Sequence, residues 1–370
     1  MRYAKTGSGI HFSEPCWPAS AFSETLLDVG NLEITSTLIT SLIGYHRRHT
    51  GMSSWTQIRM GWPKLPARAA YLSLRNSQRR NALSLPVLKD LKDQLVRYNT
   101  SPIDGKLKIL PPFRPDVLNS LEAISDGKTD LNDMEKDLRW LVDAELFRKE
   151  RKSLPSVIVL RSEGPIFSSG HDLAELKKLS REEAKDAFMH CADLMSLLRR
   201  SPAPVVGVIQ GLATAAGAQL ALSTDLPVAA ADTPFQLPGA SIGLPCTSPS
   251  TAVSRRLGAP FTYRMMALAE PITADKLPGG AVEVVSGPGE LEQRVEQIVT
   301  KLSQQSAQPQ ALGKWGFWTQ MGMNGWRNGG DGYEDAVTLA ARIMALHAKS
   351  EDASEGIDSF LNKRQPEWKT

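Results

Sequence analysis

Two runs of small residues in this sequence could bring backbone N–H groups against a ligand. Residues 167–172 (FSSGHD) follow the apolar run at 156–160, and residues 211–217 (GLATAAG) follow the apolar run at 204–210. Small side chains let a ligand approach the backbone closely. The first N–H groups of a helix have no acceptor within that helix and carry the positive end of its dipole. Each run is therefore typical of a strand-to-helix turn that offers a hydrogen-bond donor.

If the two turns lie side by side, two donors point at one oxygen. Stabilisation of an enolate or of a tetrahedral oxyanion requires this arrangement. Close packing of a helix on a strand uses the same small residues, so the pattern alone leaves the oxyanion site and simple packing equally open. A dinucleotide site is a much weaker interpretation, because residues 211–217 lack the spacing GxGxxG.

A literal GxSxG at residues 239–243 raises a further alternative, a serine hydrolase that uses Ser241. A nucleophile elbow needs a strand directly before the serine and a helix directly after it. Pro238 precedes Gly239, and the prolines that follow the motif oppose immediate entry into a helix. The triad histidine would be His347, which lies in an apolar helical segment. The hydrolase is the weaker alternative.

The composition excludes several classes of protein. The 370 residues include 43 Lys and Arg and 40 Asp and Glu, and no basic run interleaved with aromatic residues stands out, so we expect no nucleic-acid partner. Cys16, Cys191 and Cys246 form neither a disulfide framework nor a metal knuckle, which predicts a reducing compartment and no metal site. The apolar stretch at 34–44 is too short to span a bilayer.

The order of apolar runs predicts an α/β fold, because strands that alternate with helices form parallel sheets. The predicted strands are at 69–74, 156–160, 204–210 and 226–231, and the predicted helices are at 85–98, within 172–200, and through most of 289–370. The predicted organisation is an N-terminal extension with little ordered structure at 1–66, an α/β core at 67–260 with a charged helical surface insertion at 99–153, and a helical module at 261–370.

The stretch after Met52 is basic and has no acidic residue before Asp90. That composition fits a transit-like segment if translation or processing begins near Met52. A basic first strand and loop explains it equally well, so the composition alone assigns no compartment.

Seven segments in order make the chain resemble the crotonase (enoyl-CoA hydratase/isomerase) superfamily. They are residues 80–84 (RNALS), 167–173 (FSSGHDL), 204–211 (PVVGVIQG), 217–225 (GAQLALSTD), 235–243 (FQLPGASIG), 270–274 (EPITA) and 355–368 (EGIDSFLNKRQPEW). The resemblance extends from residue 69 to residue 370, apart from the insertion.

This resemblance implies a spiral core of ββα turns with a helical C-terminal module, assembled as a trimer or a dimer of trimers. The implied ligand is an acyl-CoA or enoyl-CoA thioester in fatty acid metabolism. Coenzyme A arrives as part of this substrate, and no separate cofactor is expected. The implied location is the mitochondrion, with the cytoplasm or peroxisome as alternatives.

The resemblance also assigns site residues. It implies that the backbone N–H groups of His171 and Ala216 hold the thioester carbonyl oxygen. Ala216 lies where the family usually has glycine, and this substitution keeps the N–H donor. The implied substrate and CoA contacts are Ala82, Ser169, Gly170, His171, Asp172, Leu173, Ala216, Gly239, Cys246 and Lys363, with Arg364 beside the last.

The two catalytic glutamates of the family's hydratases are absent. Their positions hold Gln219 and Gly239, and each missing general acid or base typically costs about 10²–10⁴-fold in rate. Gln219 could still orient a water by hydrogen bonding. His171 is a substitute acid–base candidate, and Cys246 is either a nucleophile or a small buried residue. Asp172 is expected to cap a helix. A hydratase/isomerase-type protein with hydration in doubt and a non-catalytic acyl-CoA-binding regulator both fit.

Overall fold

The computed structural model describes residues 62–114, 116–321 and 351–367, together with residues 332–334, 337, 341 and 345. These residues belong to one compact unit that begins at Arg59. The predicted extension at 1–66 therefore lies almost entirely outside the described residues. No described helix has the length and apolar character needed to cross a membrane.

A parallel five-stranded sheet is the centre of the fold. Its strand order is β1-β2-β3-β5-β8, and every neighbouring pair is parallel. The strands are β1 (Ala69–Leu74), β2 (Val157–Ser162), β3 (Val205–Ile209), β5 (Leu226–Ala230) and β8 (Glu283–Val285). The first four confirm the predicted strands, and the α/β class is confirmed with them.

Both faces of this sheet are covered, which explains why its central strands are continuous apolar runs. On one face Ile158 and Leu160 of β2 pack in a cluster with Leu194 and Leu198. On the other face Val157 and Val159 pack in a separate cluster with residues of the C-terminal region, including Val295. Successive side chains of a strand point to opposite faces, so the consecutive apolar residues of β2 fill both layers.

A second, three-stranded sheet was not predicted. It consists of β4 (Ala213–Thr214), β6 (Pro234–Gln236) and β7 (Ile272–Thr273). β4 and β6 are parallel, and β6 and β7 are antiparallel. Strands of two or three residues carry too few side chains for a period to be visible in the sequence.

Helices connect and cover the two sheets. The helices of the described residues are α1 (Leu85–Asn99), α2 (Val117–Ser125), α3 (Asp133–Val142), α4 (Ala144–Glu150), α5 (Leu173–Lys178), α6 (Arg181–Arg200), α7 (Ala216–Leu222), α8 (Thr247–Leu257), α9 (Ala259–Leu268), α10 (Pro288–Ser303), α11 (Ala307–Met321) and α12 (Glu351–Leu361). Short 3₁₀ turns occur at Ser77–Arg79, Pro238–Ile242 and Ala274–Lys276. α6 begins at a capping box in which Ser180 and Glu183 bond each other's backbone N–H groups.

The insertion at 99–153 is helical, as predicted, but it is not a mere surface appendage. Its helices α2, α3 and α4 enclose a core of their own, in which Phe113 and Trp140 pack with Trp315 of α11. At its base, Lys108 and Glu150 form a buried ion pair of 3.3 Å. The sequence suggested surface because charged residues outnumber apolar ones at 131–151. The apolar residues of the three helices nevertheless pack together in this core.

The predicted boundary at residue 260 falls inside the sheet-containing core. β7 and β8 come after it, and β8 pairs with β5 in the main sheet, with Val228 opposite Glu283. The purely helical part of the chain begins at Pro288 instead. The sequence gives little indication of β8, because this strand has only three residues and lies between segments that contain Gly and Pro.

Gly211 lies in the turn after β3, and a substitution at this position measures how tightly the turn packs. It has a left-handed backbone (φ 63°), and a methyl group on it would overlap the carbonyl oxygen of Pro165. We expect Gly211→Ala to lower the free energy of unfolding by roughly 2–5 kcal/mol, the sum of the left-handed backbone cost and the overpacking cost. The urea unfolding midpoint measures this loss.

Gly105→Ala is the matched control, because Gly105 has φ 67° but no atom within 4 Å of the added carbon. It should show the backbone cost alone. Equal losses in the two variants would contradict the close packing of Gly211.

Candidate functional site

The two turns singled out in the sequence lie at the same edge of the main sheet. β2 and β3 are parallel neighbours, so the chain leaves both strands at one edge before it enters α5 and α7. Two backbone hydrogen bonds join the turns directly. The N–H of Ser168 donates to the carbonyl of Leu212 over 3.0 Å, and the N–H of Thr214 donates to the carbonyl of Ser168 over 3.1 Å.

Two glycines make this contact possible. Gly170 has φ 82°, and a Cβ on it would lie 2.9 Å from the carbonyl oxygen of Thr214 and 3.3 Å from the amide nitrogen of Ala216. A Cβ on Gly217 would lie 2.5 Å from the carbonyl oxygen of Ser168. Backbone therefore packs on backbone, and the residue after Gly170, His171, is brought next to Ala216.

The amide N–H groups of His171 and Ala216 donate to no acceptor among the described residues, whereas the amides beside them are bonded. The N–H of Gly170 donates to Oγ of Ser168 over 3.2 Å, and the N–H of Ala215 donates to the carbonyl of Gln236 over 2.9 Å. Ala216 is fully buried. His171 is half-buried. An unpaired buried N–H is costly, so these two amides on touching turns are candidate donors to a ligand oxygen. We call this pair of amides the cradle.

Ala215 carries backbone strain directly before the cradle. Its φ of 51° and ψ of −124° lie outside the regions that suit a residue with a side chain. Such strain costs about 1–3 kcal/mol and persists where the surrounding structure enforces it, often at functional sites.

Residues 80–83 hold the first turn from its other side. The N–H of Leu83 donates to the carbonyl of Gly170 over 2.8 Å, and the N–H of Ser169 donates to that of Arg80 over 3.0 Å. The side chain of Asn81 donates to the carbonyls of Glu163 and Ile166, both over 2.7 Å. The RNALS segment is therefore a brace for the turn. Asn81 was not among the predicted site residues, although its segment was.

His171 is neutral. Burial lowers its pKa to about 4, although a hydrogen bond with the backbone of Leu83 favours the protonated form. Its ring meets Phe188 edge-on, with the ring centroids 4.8 Å apart. At neutral pH the imidazole therefore has no second proton to give, which argues against His171 as a general acid.

Gln219 is fully buried and bonded to helix α8. Its Oε1 accepts from Oγ of Ser248 over 3.2 Å, and its Nε2 donates to Oγ1 of Thr251 over 3.5 Å. The amide ties α7 to α8 and has no ionisable proton. The structure therefore gives Gln219 a packing role rather than that of a catalytic acid or base.

The position of the second family glutamate is closed by Cys246. A Cβ on Gly239 would overlap the carbonyl oxygen of Leu244 and lie 2.6 Å from Sγ of Cys246. The N–H of Gly239 donates to this sulfur over 3.2 Å. Burial raises the pKa of the Cys246 thiol to about 11, so the sulfur stays protonated and packs as a small buried group rather than acting as a nucleophile.

The structure also describes the other residues that the resemblance assigned to substrate contact. Ala82 is buried, and Leu173 packs against an apolar cluster that includes Phe188. Asp172 caps α5, as predicted, by accepting from the N–H groups of Ala174 and Glu175 over 3.1 Å each, and it pairs with Arg79. These contacts make Asp172 a structural residue.

Lys363 and Arg364 near the C-terminus differ in their ion pairing. Lys363 is exposed in a left-handed turn and forms no ion pair with the described residues. Arg364 pairs with Glu355 over 2.5 Å. Lys363 is thus the more accessible cation of the two.

The GxSxG segment does not form a nucleophile elbow. It lies in the 3₁₀ turn Pro238–Ile242, and the hydroxyl of Ser241 is exposed and donates to the carbonyl of Pro238 over 2.7 Å. His347 lies outside the described residues. In the described part of the chain no three His, Cys, Asp or Glu side chains are grouped so that they could hold a metal ion.

Comparison with known proteins extends these findings. The enoyl-CoA hydratase/isomerase family model matches residues 141–370. The chain is 32% identical over 297 residues to rat "enoyl-CoA hydratase domain-containing protein 3, mitochondrial", which covers 80% of this chain and 79% of that protein. It is 35% identical to the human protein of the same name over 57% of this chain and 68% of that protein.

Solved structures agree. The crystal structure of human enoyl-CoA hydratase domain-containing protein 3 covers 82% of this chain and 98% of its own, with a TM-score of 0.52 and 30% identity. An enoyl-CoA hydratase from Mycobacterium smegmatis covers 83% and 98%, with a TM-score of 0.51 and 29% identity. On the strength of the family match, the relatives and the paired turns, this chain belongs to the enoyl-CoA hydratase/isomerase (crotonase) family.

Proposed function

We propose that the chain binds acyl-CoA thioesters of fatty acid metabolism and holds the thioester carbonyl oxygen between the amides of His171 and Ala216. The observation that carries this proposal is the contact of the two turns, which leaves these two N–H groups without acceptors among the described residues. Fixed donors gain strength as charge moves onto an oxygen, and each is worth roughly 2.7–4 kcal/mol at such a transition state. The cradle therefore suits a thioester enolate.

We find no proton carrier for this cradle among the residues that the structure describes. Gln219 is bonded to α8, Gly239 is covered by Cys246, and His171 is neutral with a low pKa. Addition of water across a double bond needs a base and an acid. The site therefore keeps the electrostatic part of the family chemistry and lacks the family's acid–base pair.

This loss favours a second candidate on the same site, a non-catalytic acyl-CoA-binding regulator. It needs the cradle but no proton donor, which is what the described residues offer. A serine hydrolase is not proposed, because the Ser241 hydroxyl donates to its own turn.

Coenzyme A enters as part of the ligand, so no resident cofactor is required. Ser169, Gly170 and Leu173 lie close to His171 along the chain, and Ala82 belongs to the segment that is hydrogen-bonded to this turn. Lys363 is our candidate for a phosphate contact. We propose a homotrimer or a dimer of trimers in the mitochondrion. The names of the curated relatives support the location, since they are called mitochondrial.

The carbonyl oxygen can be removed from the ligand without any change to the protein. We expect S-butyl-CoA, a thioether that lacks this oxygen, to bind about 5- to 150-fold more weakly than butyryl-CoA. Two hydrogen bonds contribute roughly 0.5–1.5 kcal/mol each, and their sum gives this range. Isothermal titration calorimetry measures both affinities. Equal affinities of the two ligands would contradict hydrogen bonds from the cradle to the carbonyl oxygen. Weak binding of both ligands would mean that coenzyme A does not bind at this site.

Hydration of crotonyl-CoA separates the two candidates. We expect no turnover by the wild type, since each missing carboxylate removes about 10²–10⁴-fold. Gln219→Glu should remain inactive because Cys246 still closes the second position. The loss of enoyl absorbance follows the reaction, with a hydratase that carries both glutamates as positive control. Appreciable turnover by the wild type would refute the regulator.

A further inference from the structure

A small pocket lies at the amino ends of the first three strands of the main sheet. Arg68 directly precedes β1, Ser156 directly precedes β2 and Ala203 lies two residues before β3, and all three residues line this pocket. The three strands are parallel neighbours, so their amino ends meet at one edge and the cradle lies at the other. Strands of this length separate the two edges by roughly 17–20 Å. The pocket is therefore distinct from the proposed thioester site.

Arg151 brings a buried positive charge to this pocket without a carboxylate beside it. Only 5% of the residue is exposed. Its guanidinium donates to Oδ1 of Asn99 over 3.2 Å and to the carbonyl of Pro155 over 2.9 Å, and both acceptors are neutral. The adjacent carboxylate of Glu150 pairs with Lys108 instead. Buried charges in proteins are normally paired, so the charge of Arg151 lacks its usual counterpart among the described residues.

A second arginine, Arg68, lines the same pocket. Its side chain is exposed and forms no ion pair with a residue that the structure describes. Burial, and to a smaller extent the charge of Arg68, lower the pKa of Arg151 to about 10. The two guanidinium groups are therefore close enough to repel each other, and Arg151 stays charged at neutral pH. No acidic side chain of the described residues lines the pocket, and this combination favours an anionic ligand.

The shape of the pocket limits how an anion can enter. The pocket is partly open to solvent, and the space that a water-sized atom can enter is about that of one atom. Its walls are mostly apolar and include Phe147 of α4 and Ala307 of α11. One oxygen of an oxyanion can therefore enter while the other oxygens stay at the mouth. Guanidinium groups suit such a ligand, because their planar fork of N–H groups matches the oxygens of phosphates and carboxylates.

We propose that this pocket binds a phosphate group, as inorganic phosphate or as the end of a small phosphomonoester, between the guanidinium groups of Arg68 and Arg151. Charge decides between the oxyanions. A phosphate group carries about −1.5 to −2 charges at pH 7, which balances two guanidinium groups, whereas a carboxylate balances one. The bound phosphate connects the insertion, the main sheet and α11, because all three line the pocket. The proposal does not depend on the thioester site.

Isothermal titration calorimetry of the full chain tests the proposal, with inorganic phosphate, methyl phosphate and acetate at constant ionic strength in sodium chloride. We expect one phosphate per chain, bound at least about tenfold more tightly than acetate, because the second charge adds a further charge-assisted hydrogen bond. Methyl phosphate distinguishes the two sources. Binding as tight as that of inorganic phosphate indicates a phosphomonoester, and weaker binding indicates the free ion. No saturable binding of either phosphate would overturn the proposal.

Arg68→Met assigns the binding to this pocket. The side chain is exposed, so the variant should fold, and its phosphate affinity should fall at least about tenfold. In phosphate-free buffer its urea unfolding midpoint should be no lower than that of the wild type, because the substitution removes a like charge near Arg151. Arg181→Met is the matched control. Arg181 is also exposed without an ion pair to the described residues, and it lies about 30 Å along α6 from Pro202. It should keep the wild-type affinity.

Two results with the variants would refute the site. The first is a phosphate affinity that Arg68→Met leaves unchanged. The second is a loss of phosphate binding in Lys363→Met together with its retention in Arg68→Met, since the phosphate would then lie at the C-terminal turn. Neither result bears on the cradle, which the comparison of S-butyl-CoA with butyryl-CoA tests separately.

Discussion

The contact between two strand-to-helix turns is the constraint on which the rest of this site depends. Gly170 and Gly217 bring backbone against backbone, at separations that leave no room for a side chain at either position. The hydrogen bonds between Ser168 and its neighbours Leu212 and Thr214 fix the register of the two turns. What remains is a pair of unbonded amides, and every functional statement about the thioester site starts from that pair.

The surrounding fold maintains this contact at a cost in local strain. The parallel arrangement of β2 and β3 brings the turns to one edge, and the RNALS segment holds the first turn through the bonds of Leu83 and Asn81. Ala215 keeps an unfavourable backbone conformation directly before Ala216. Gln219 joins two helices and Cys246 fills the space beside Gly239, so both serve as packing positions.

The parts of the fold that could be predicted from the sequence are those that a local residue pattern determines. The four longer strands are visible as short apolar runs, and the turns are visible because small residues follow two of these runs. The cap at Asp172 follows from its position before α5. Strands of two or three residues, such as β4 and β8, are set by tertiary pairing and leave no periodic signal. The core that the insertion shares with Trp315 joins segments more than 150 residues apart in the chain, so no local window contains it.

The same limit applies inside the site. A glutamate-to-glycine change at position 239 is readable from the resemblance, but the closure of that position by the Cys246 sulfur depends on how the loop folds back. The neutral state of His171 depends on burial, which outweighs the opposing effect of the hydrogen bond with the backbone of Leu83.

A crystal structure of the chain with butyryl-CoA tests the central claim most directly. The account predicts that the thioester carbonyl oxygen lies within about 3.2 Å of the amide nitrogens of both His171 and Ala216. A carbonyl oxygen bound elsewhere, or bonded to only one of the two amides, would contradict it.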